Sequence, residues 1–367
     1  MAFYDEYSKF KEFNYEEFFN NLTEEHIHSI LNKDKINVYD YLALLSPLGE
    51  KFLEEMAKKA HSLSVGHFGK TILLFTPMYI SNTCINQCAY CGFNVDNHIK
   101  RKRLSLEEIE MEAKAIAAEG LKHVLLLTGE SPKATPVSYI VDAVNVLKKY
   151  FDSIGIEIYP LNEDEYKQVV NAGVDSLTVY QEVYDEDIYD NVHISGPKKD
   201  YIYRLDAPER GCKANMRTVN IGALLGLNEW RMEGFITGVH ANYLQNKYPH
   251  VSINVSPPRI RPHAGVFENV YEVSDKNLVQ NILALKIFLP YVGITISTRE
   301  EAILRDNLIP LGVTKMSAGV STEVGGHSAS NKGEAQFEIA DLRSVEEMSQ
   351  SILEKGYQPV FKDWMHI

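Results

Sequence analysis

Eight short apolar runs, separated by longer amphipathic stretches, constrain the fold more than any other feature of the chain. They are Ile72–Ile80, His123–Thr128, Ile156–Pro160, Ser176–Gln181, Val219–Leu225, Val251–Ser256, Val292–Ser297 and Val313–Ala318. Rich in Val, Ile and Leu and without clean polar alternation, they read as strands buried on both faces, as in a parallel sheet. The stretches Ser105–Glu119, Pro136–Tyr150, Asn162–Asn171, Ala207–Met216, Asn228–Lys247, Asp275–Leu289 and Thr298–Asp306 read as helices. Ser105 and Asn162 stand at helix starts, Gly120 and Gly173 at helix ends. This alternation predicts an α/β fold, a (β/α)8 TIM-type barrel over residues 71–322. A doubly wound open sheet satisfies the same pattern.

Residues 1–70 predict a helical N-terminal extension, with helices over Tyr15–Leu31, Val38–Leu45 and Leu48–Leu63. Residues 323–367 predict a C-terminal appendage packing on the barrel. It is Gly/Ser-rich at Gly325, Gly326, Ser328 and Ser330, then helical from Val345 to Lys355.

With 50 acidic and 37 basic side chains the net charge is −13, which argues against nucleic acid or an anionic membrane surface as the main partner. No apolar run approaches the length of a membrane span, and Met1–Phe13 carries no secretory signal pattern. A cytoplasmic protein is expected.

Three of the four cysteines, Cys84, Cys88 and Cys91, lie within eight residues at the spacing C-x3-C-x2-C, just after the first predicted strand. Three thiolates on one loop suit three corners of a metal cluster, and a [4Fe–4S] cluster so held keeps one iron open to a chelating molecule. A zinc knuckle completed by His98 is the alternative. Cys212 reads as a small packed hydrophobe.

This triad, with the aromatic Tyr90 inside it, resembles the signature of the radical S-adenosylmethionine (SAM) enzymes. The resemblance extends through Leu74–Asn82, Cys91–Asn94, Ile99–Leu104, Leu127–Ser131, Val179–Glu182, Arg204–Arg210, Pro258–Pro262 and Phe361–Trp364. Together these segments are similar to the tyrosine lyases of thiazole biosynthesis, the 2-iminoacetate synthases. The resemblance implies a [4Fe–4S] cluster on Cys84, Cys88 and Cys91, with SAM as the second cofactor. It further implies Tyr90, Gly129, Glu130, Glu157, Gln181, Glu182 and Arg204 as cofactor-binding residues. Gly129 and Glu130 would meet the amino group of SAM, and Glu157, Gln181 and Glu182 the ribose hydroxyls. A plain turn glycine followed by a solvated Glu is the competing reading for Gly129 and Glu130, a structural ion pair with an Arg for Glu157, Gln181 and Glu182, and a surface salt bridge for Arg204.

Arginines and serines recur at the ends of the last predicted strands: Ser256, Arg259, Arg261, Ser297, Arg299, Ser317 and Ser321. Guanidinium groups grip carboxylates as a two-pronged fork, so this set suits an amino-acid substrate, with Arg299 the first choice. Arg259 and Arg261 could instead lock the barrel or line its mouth. The basic run Lys100–Arg103 reads as a solvated helix lead-in, without a catalytic role, that could receive an acidic electron donor.

The implied reaction is cleavage of the Cα–Cβ bond of L-tyrosine to 2-iminoacetate (dehydroglycine) and 4-cresol, for the thiazole ring of thiamine. Reduced flavodoxin or ferredoxin as electron donor, and the thiazole synthase protein as partner, follow from the resemblance alone. A tryptophan lyase stays open, because the side-chain pocket is not readable. A hydrogenase-maturase-like lyase would use a second cysteine cluster, and no cysteine follows Cys212. A zinc-bearing structural or binding module is the remote alternative.

Overall fold

The computed structural model describes residues 2–265, 267–268, 270–328 and 334–362. Every predicted run forms a strand: Thr71–Ser81 (β1), His123–Thr128 (β2), Ser153–Glu157 (β3), Ser176–Glu182 (β4), Thr218–Ala223 (β5), Ser252–Val255 (β6), Gly293–Ile296 (β7) and Lys315–Ser317 (β8). Each pairs in parallel with its predecessor, and β8 returns to β1 with Leu73, Leu74 and Phe75 opposite Lys315, Met316 and Ser317. That last pairing closes the barrel and removes the open-sheet alternative.

Alternation along the strands separates two environments. In β3, Ile154 and Ile156 are buried beneath the helices, while Ser153, Gly155 and Glu157 line the barrel interior. Because the inward positions are small or polar, the strand begins three residues before the apolar run suggests. In β4 the inward set is Ser176, Thr178, Tyr180 and Glu182. The interior is therefore not the packed aliphatic core usual for this architecture. A cavity lined by both polar and apolar side chains runs from the strand starts to the mouth.

The predicted helix over 15–31 is two helices, Tyr15–Asn20 and Glu24–Leu31. Thr23 accepts a hydrogen bond from the His26 N–H, and Glu24 and Glu25 fill the first turn, so a new helix starts there. The extension packs on helices Trp230–Lys247 and Asp275–Phe288. Phe3 stacks on His240 at 3.8 Å between ring centres, and Tyr41 stacks on Phe288 at 4.6 Å and donates to the Gly234 carbonyl. Those two helices are buried on most of their surface because both faces are covered, and they bury polar side chains such as Glu233, His240, Gln280 and Lys286 along with apolar ones.

At the other end, Gln358–Val360 adds a parallel strand outside β1. The stretch 334–341 crosses the barrel mouth as a strap. Its backbone N–H groups at Gln336, Glu338 and Ala340 donate to the carbonyls of Thr322, Pro262 and Thr298. Buried Glu112 receives the N–H groups of His327 and Ser328, which anchors the glycine-rich turn. Ser330, Asp363 and Trp364 of the sequence reading lie outside the described residues.

Candidate active site

The cysteine loop follows β1 and is held from several directions. Ile85 N–H donates to the Glu130 carbonyl beyond β2, and Val95 N–H donates to the Asn86 carbonyl. Gln87–Cys88 pairs with His193–Ser195, a short strand from the long segment after β4. Gly129 is required here, because a Cβ would stand 2.5 Å from the Thr83 carbonyl oxygen.

Arg101 does the most to shape this loop. Its guanidinium donates to the carbonyls of Asn82, Phe93, Asn94 and Asn97, at 2.6 to 3.3 Å. The solvated role expected for the Lys100–Arg103 run is therefore wrong at this residue. Replacing Arg101 by Met should cost about 3 kcal/mol, since several carbonyls lose a charged donor. The check is iron retained per chain after reconstitution, which should fall well below that of the unaltered protein.

Burial pushes the Cys88 thiol up to about 12 and raises Cys91 as well, so binding iron must displace their protons. Among the described residues no three His, Cys, Asp or Glu side chains stand close enough to hold a single metal ion. A lone tetrahedral zinc needs such convergence, whereas the corners of an iron–sulfur cube are held by separated thiolates. His98, the fourth ligand of the zinc reading, is exposed. The donor set thus fits a cluster with three protein ligands.

Beside the loop, Tyr90 donates its hydroxyl to His193 Nε2 at 2.7 Å, because His193 Nδ1 already donates to the Tyr189 carbonyl at 2.8 Å. Glu130 accepts from the Asn86 amide at 2.6 Å. Glu182 sits at a left-handed backbone position, φ 73°, a strain of about 1–3 kcal/mol that is common at functional sites. Burial would raise its carboxyl, but Lys198 at 2.6 Å and Arg204 at 3.7 Å outweigh this and hold it below the usual carboxylate range. Glu157 forms no ion pair or hydrogen bond among the described residues, and Arg299, Lys198 and Arg204 act on it only from farther away. Burial and then the Glu182 charge push it up to about 7.

The cavity brings together Tyr90, Glu157, Glu182, Ser256, Ser297, Arg299 and Ser317, with Cys91 in its wall. The Arg299 guanidinium lies 3.5 Å above the Phe337 ring and, among the described residues, donates to the Arg259 carbonyl at 3.4 Å. Ser317 Oγ is buried with no hydrogen-bond partner among the described residues. Ser256 is already paired with Asn220, at 2.9 and 3.1 Å.

Gln181 lies between the cavity-lining Tyr180 and Glu182 where the register of β4 shifts, and its amide is buried without a partner among the described residues. Two expected site residues are placed elsewhere. Arg259 spends its guanidinium on Glu300, Asp275 and the Val273 carbonyl. It locks the barrel rim, with most of its donors spent on these partners. Ser321 faces the turn at Gly326 and accepts the Glu323 N–H. Conversely, Lys198, Tyr79, Gln336 and Phe337 line the cavity and were not singled out by the sequence reading.

The Radical SAM superfamily model matches residues 78–237 and the Biotin and Thiamin Synthesis associated domain matches 256–358. The 2-iminoacetate synthase of Escherichia coli (strain K12) is 36% identical over 94% of this chain and 92% of its own. The chain belongs to the 2-iminoacetate synthase family. The family member from Salmonella typhimurium matches equally, 36% over 94% of this chain and 92% of its own. Members of this radical SAM family use a [4Fe–4S] cluster and SAM, and this chain carries the cysteines for the first. Among solved structures, the FeFe-hydrogenase maturase HydG from Carboxydothermus hydrogenoformans is 34% identical. It superposes with a TM-score of 0.88 over 95% of this chain and 83% of its own. Methylornithine synthase (PylB), 21% identical with a TM-score of 0.72 over 91% of this chain and 97% of its own, shares the fold.

Proposed function

We propose that the chain is a radical SAM carbon–carbon lyase that cleaves L-tyrosine to 2-iminoacetate (dehydroglycine) and 4-cresol, supplying the thiazole ring of thiamine. The observation that carries this reading is 36% identity to a 2-iminoacetate synthase over 94% of the chain, in a protein whose cavity joins the cysteine loop to an arginine that forms no ion pair among the described residues. When bound, the cluster and SAM supply one electron and the 5′-deoxyadenosyl radical that takes a hydrogen atom from the substrate amino group.

The chain's own residues bind, orient and shield. Arg299 grips the substrate carboxylate, with Phe337 fixing the plane of its guanidinium, and Ser297 and Ser317 offer hydroxyls beside it. Glu157, near neutral and lacking a partner among the described residues, suits a ribose hydroxyl. Glu182 is kept anionic by Lys198 and Arg204 for the same moiety, and Gly129, Glu130 and Tyr90 frame the remainder of SAM. Enclosure within the barrel excludes water and stray hydrogen donors, and proximity replaces an encounter in solution. No helix among the described residues is long and apolar enough to cross a membrane, in keeping with a cytoplasmic enzyme. Flavodoxin or ferredoxin as electron donor and the thiazole synthase protein as partner belong to the same reading.

Anaerobic incubation of the reconstituted protein with tyrosine, SAM and dithionite should yield 4-cresol and 5′-deoxyadenosine together. Absence of cresol removes the tyrosine lyase reading, and an indole product from tryptophan would replace it with a tryptophan lyase.

A further inference from the structure

The strap over the mouth places one side chain against the cysteine loop itself. Gln336 Nε2 stands 3.9 Å from Cys91 Sγ. The orientation of this amide is set from its other side, where the buried Tyr79 hydroxyl donates to Gln336 Oε1 at 2.8 Å. Turning the amide over would aim a carbonyl oxygen at the sulfur and break the favourable order on both sides. The backbones also touch, for a Cβ on Gly92 would stand 2.3 Å from the Gln336 carbonyl oxygen. Glycine next to Cys91 is what lets the strap descend this far.

We propose that Gln336 donates an N–H···S hydrogen bond to Cys91 and thereby raises the reduction potential of the cluster that Cys91 helps to hold. The physical reason is charge. Adding one electron to a [4Fe–4S] cluster increases negative charge on the cysteine sulfurs, so a donor aimed at one of them stabilises the reduced state more than the oxidised one. Gln336 is a tuning residue that acts through Cys91 and needs no contact with substrate. Phe337, the next residue of the strap, lies under Arg299, so the element that sets the cluster's potential also supports the substrate arginine.

The inference rests on the cluster reading, so iron and sulfide content are measured first. A protein that loads no cluster defeats that reading rather than this one. Gln336→Leu removes the donor, and Gln336→Glu turns oxygen toward the sulfur at nearly the same size. Each is titrated anaerobically against dithionite, the reduced cluster being followed by electron paramagnetic resonance, in the absence of tyrosine. At a fixed potential the ratio of reduced to oxidised cluster should fall about threefold in Gln336→Leu and about tenfold in Gln336→Glu. At 59 mV per decade for one electron these are shifts of roughly 30 and 60 mV. The Fe–S(Cys) stretch in resonance Raman should rise in Gln336→Leu. Tyr79→Phe, which frees the amide without removing it, should fall between the wild type and Gln336→Leu. If the loaded fractions of the variants titrate with the wild type, the proposal is wrong, whatever their cluster yield.

Discussion

Arg299→Leu should lower kcat/KM for tyrosine by about 100- to 1,000-fold. Removing one partner of a buried charged pair costs about 2–5 kcal/mol, much of it the penalty of leaving the other charge unmatched, and each 1.4 kcal/mol is a factor of ten. Lys198, Arg261 and Lys315 also line the cavity. Lys198 and Arg204 serve Glu182, and Arg261 is aimed toward the exposed Glu301 at 4.0 Å. Lys315 lies over the Phe75 ring at 4.7 Å, so the guanidinium laid flat on Phe337 is the one the carboxylate is expected to meet, and Arg261→Leu should cost less than Arg299→Leu. Iron content should be unchanged, because no hydrogen bond ties Arg299 to the cysteine loop. Arg299→Lys keeps the charge but loses both the fork and the face laid on Phe337, so it should recover only part of the loss. Steady-state cresol formation over a tyrosine series makes the comparison. A Leu variant within tenfold of wild type would place the carboxylate elsewhere.

The barrel was legible because burial on both faces leaves a local mark, a run of Val, Ile and Leu that needs no knowledge of partners. The cysteine loop was legible for the same reason, its three sulfurs being within one short segment. What escaped reading comes to the site from far along the chain. Lys198 is delivered by the excursion after β4, and Gln336 meets Cys91 across 245 residues. An arginine at a strand end looks the same whether it waits for a ligand or is already spent. Arg259 could be told from Arg299 only by finding Glu300, 41 residues away, folded against it. Arg101 shows the converse error. Its charge is visible in the sequence, but the carbonyls that claim it are not. The interior start of β3 leaves no apolar run because its inward residues, Ser153 and Gly155, are small and polar or lack a side chain.

The strap offers the second large effect. Asp341 and Arg305 form an ion pair with side-chain exposures of 0% and 1%. Arg343 adds a second contact to Asp341 at 2.7 Å, and Arg305 reaches the Ser317 carbonyl at the end of β8. Asp341→Asn leaves the Arg305 charge buried without its counter-ion, which should cost about 3–5 kcal/mol of stability in urea unfolding of the apoprotein. The effect carries a sign in pH. Burial would raise the Asp341 carboxyl, but Arg343 and Arg305 prevail and draw it down to about 2, below its value near 3.9 in an unfolded chain. Its contribution is therefore complete above pH ~4 and is lost as the pH falls through about 2. The stability gap between wild type and Asp341→Asn should be flat from neutral pH to about 4 and narrow below that. A gap that widened on acidification would mean that Asp341 does not hold the strap as a charged partner. Because Gln336 and Phe337 ride on the same strap, the variant should also show the lowered cluster potential of Gln336→Leu and part of the tyrosine defect of Arg299→Leu. Neither separate substitution should produce both defects.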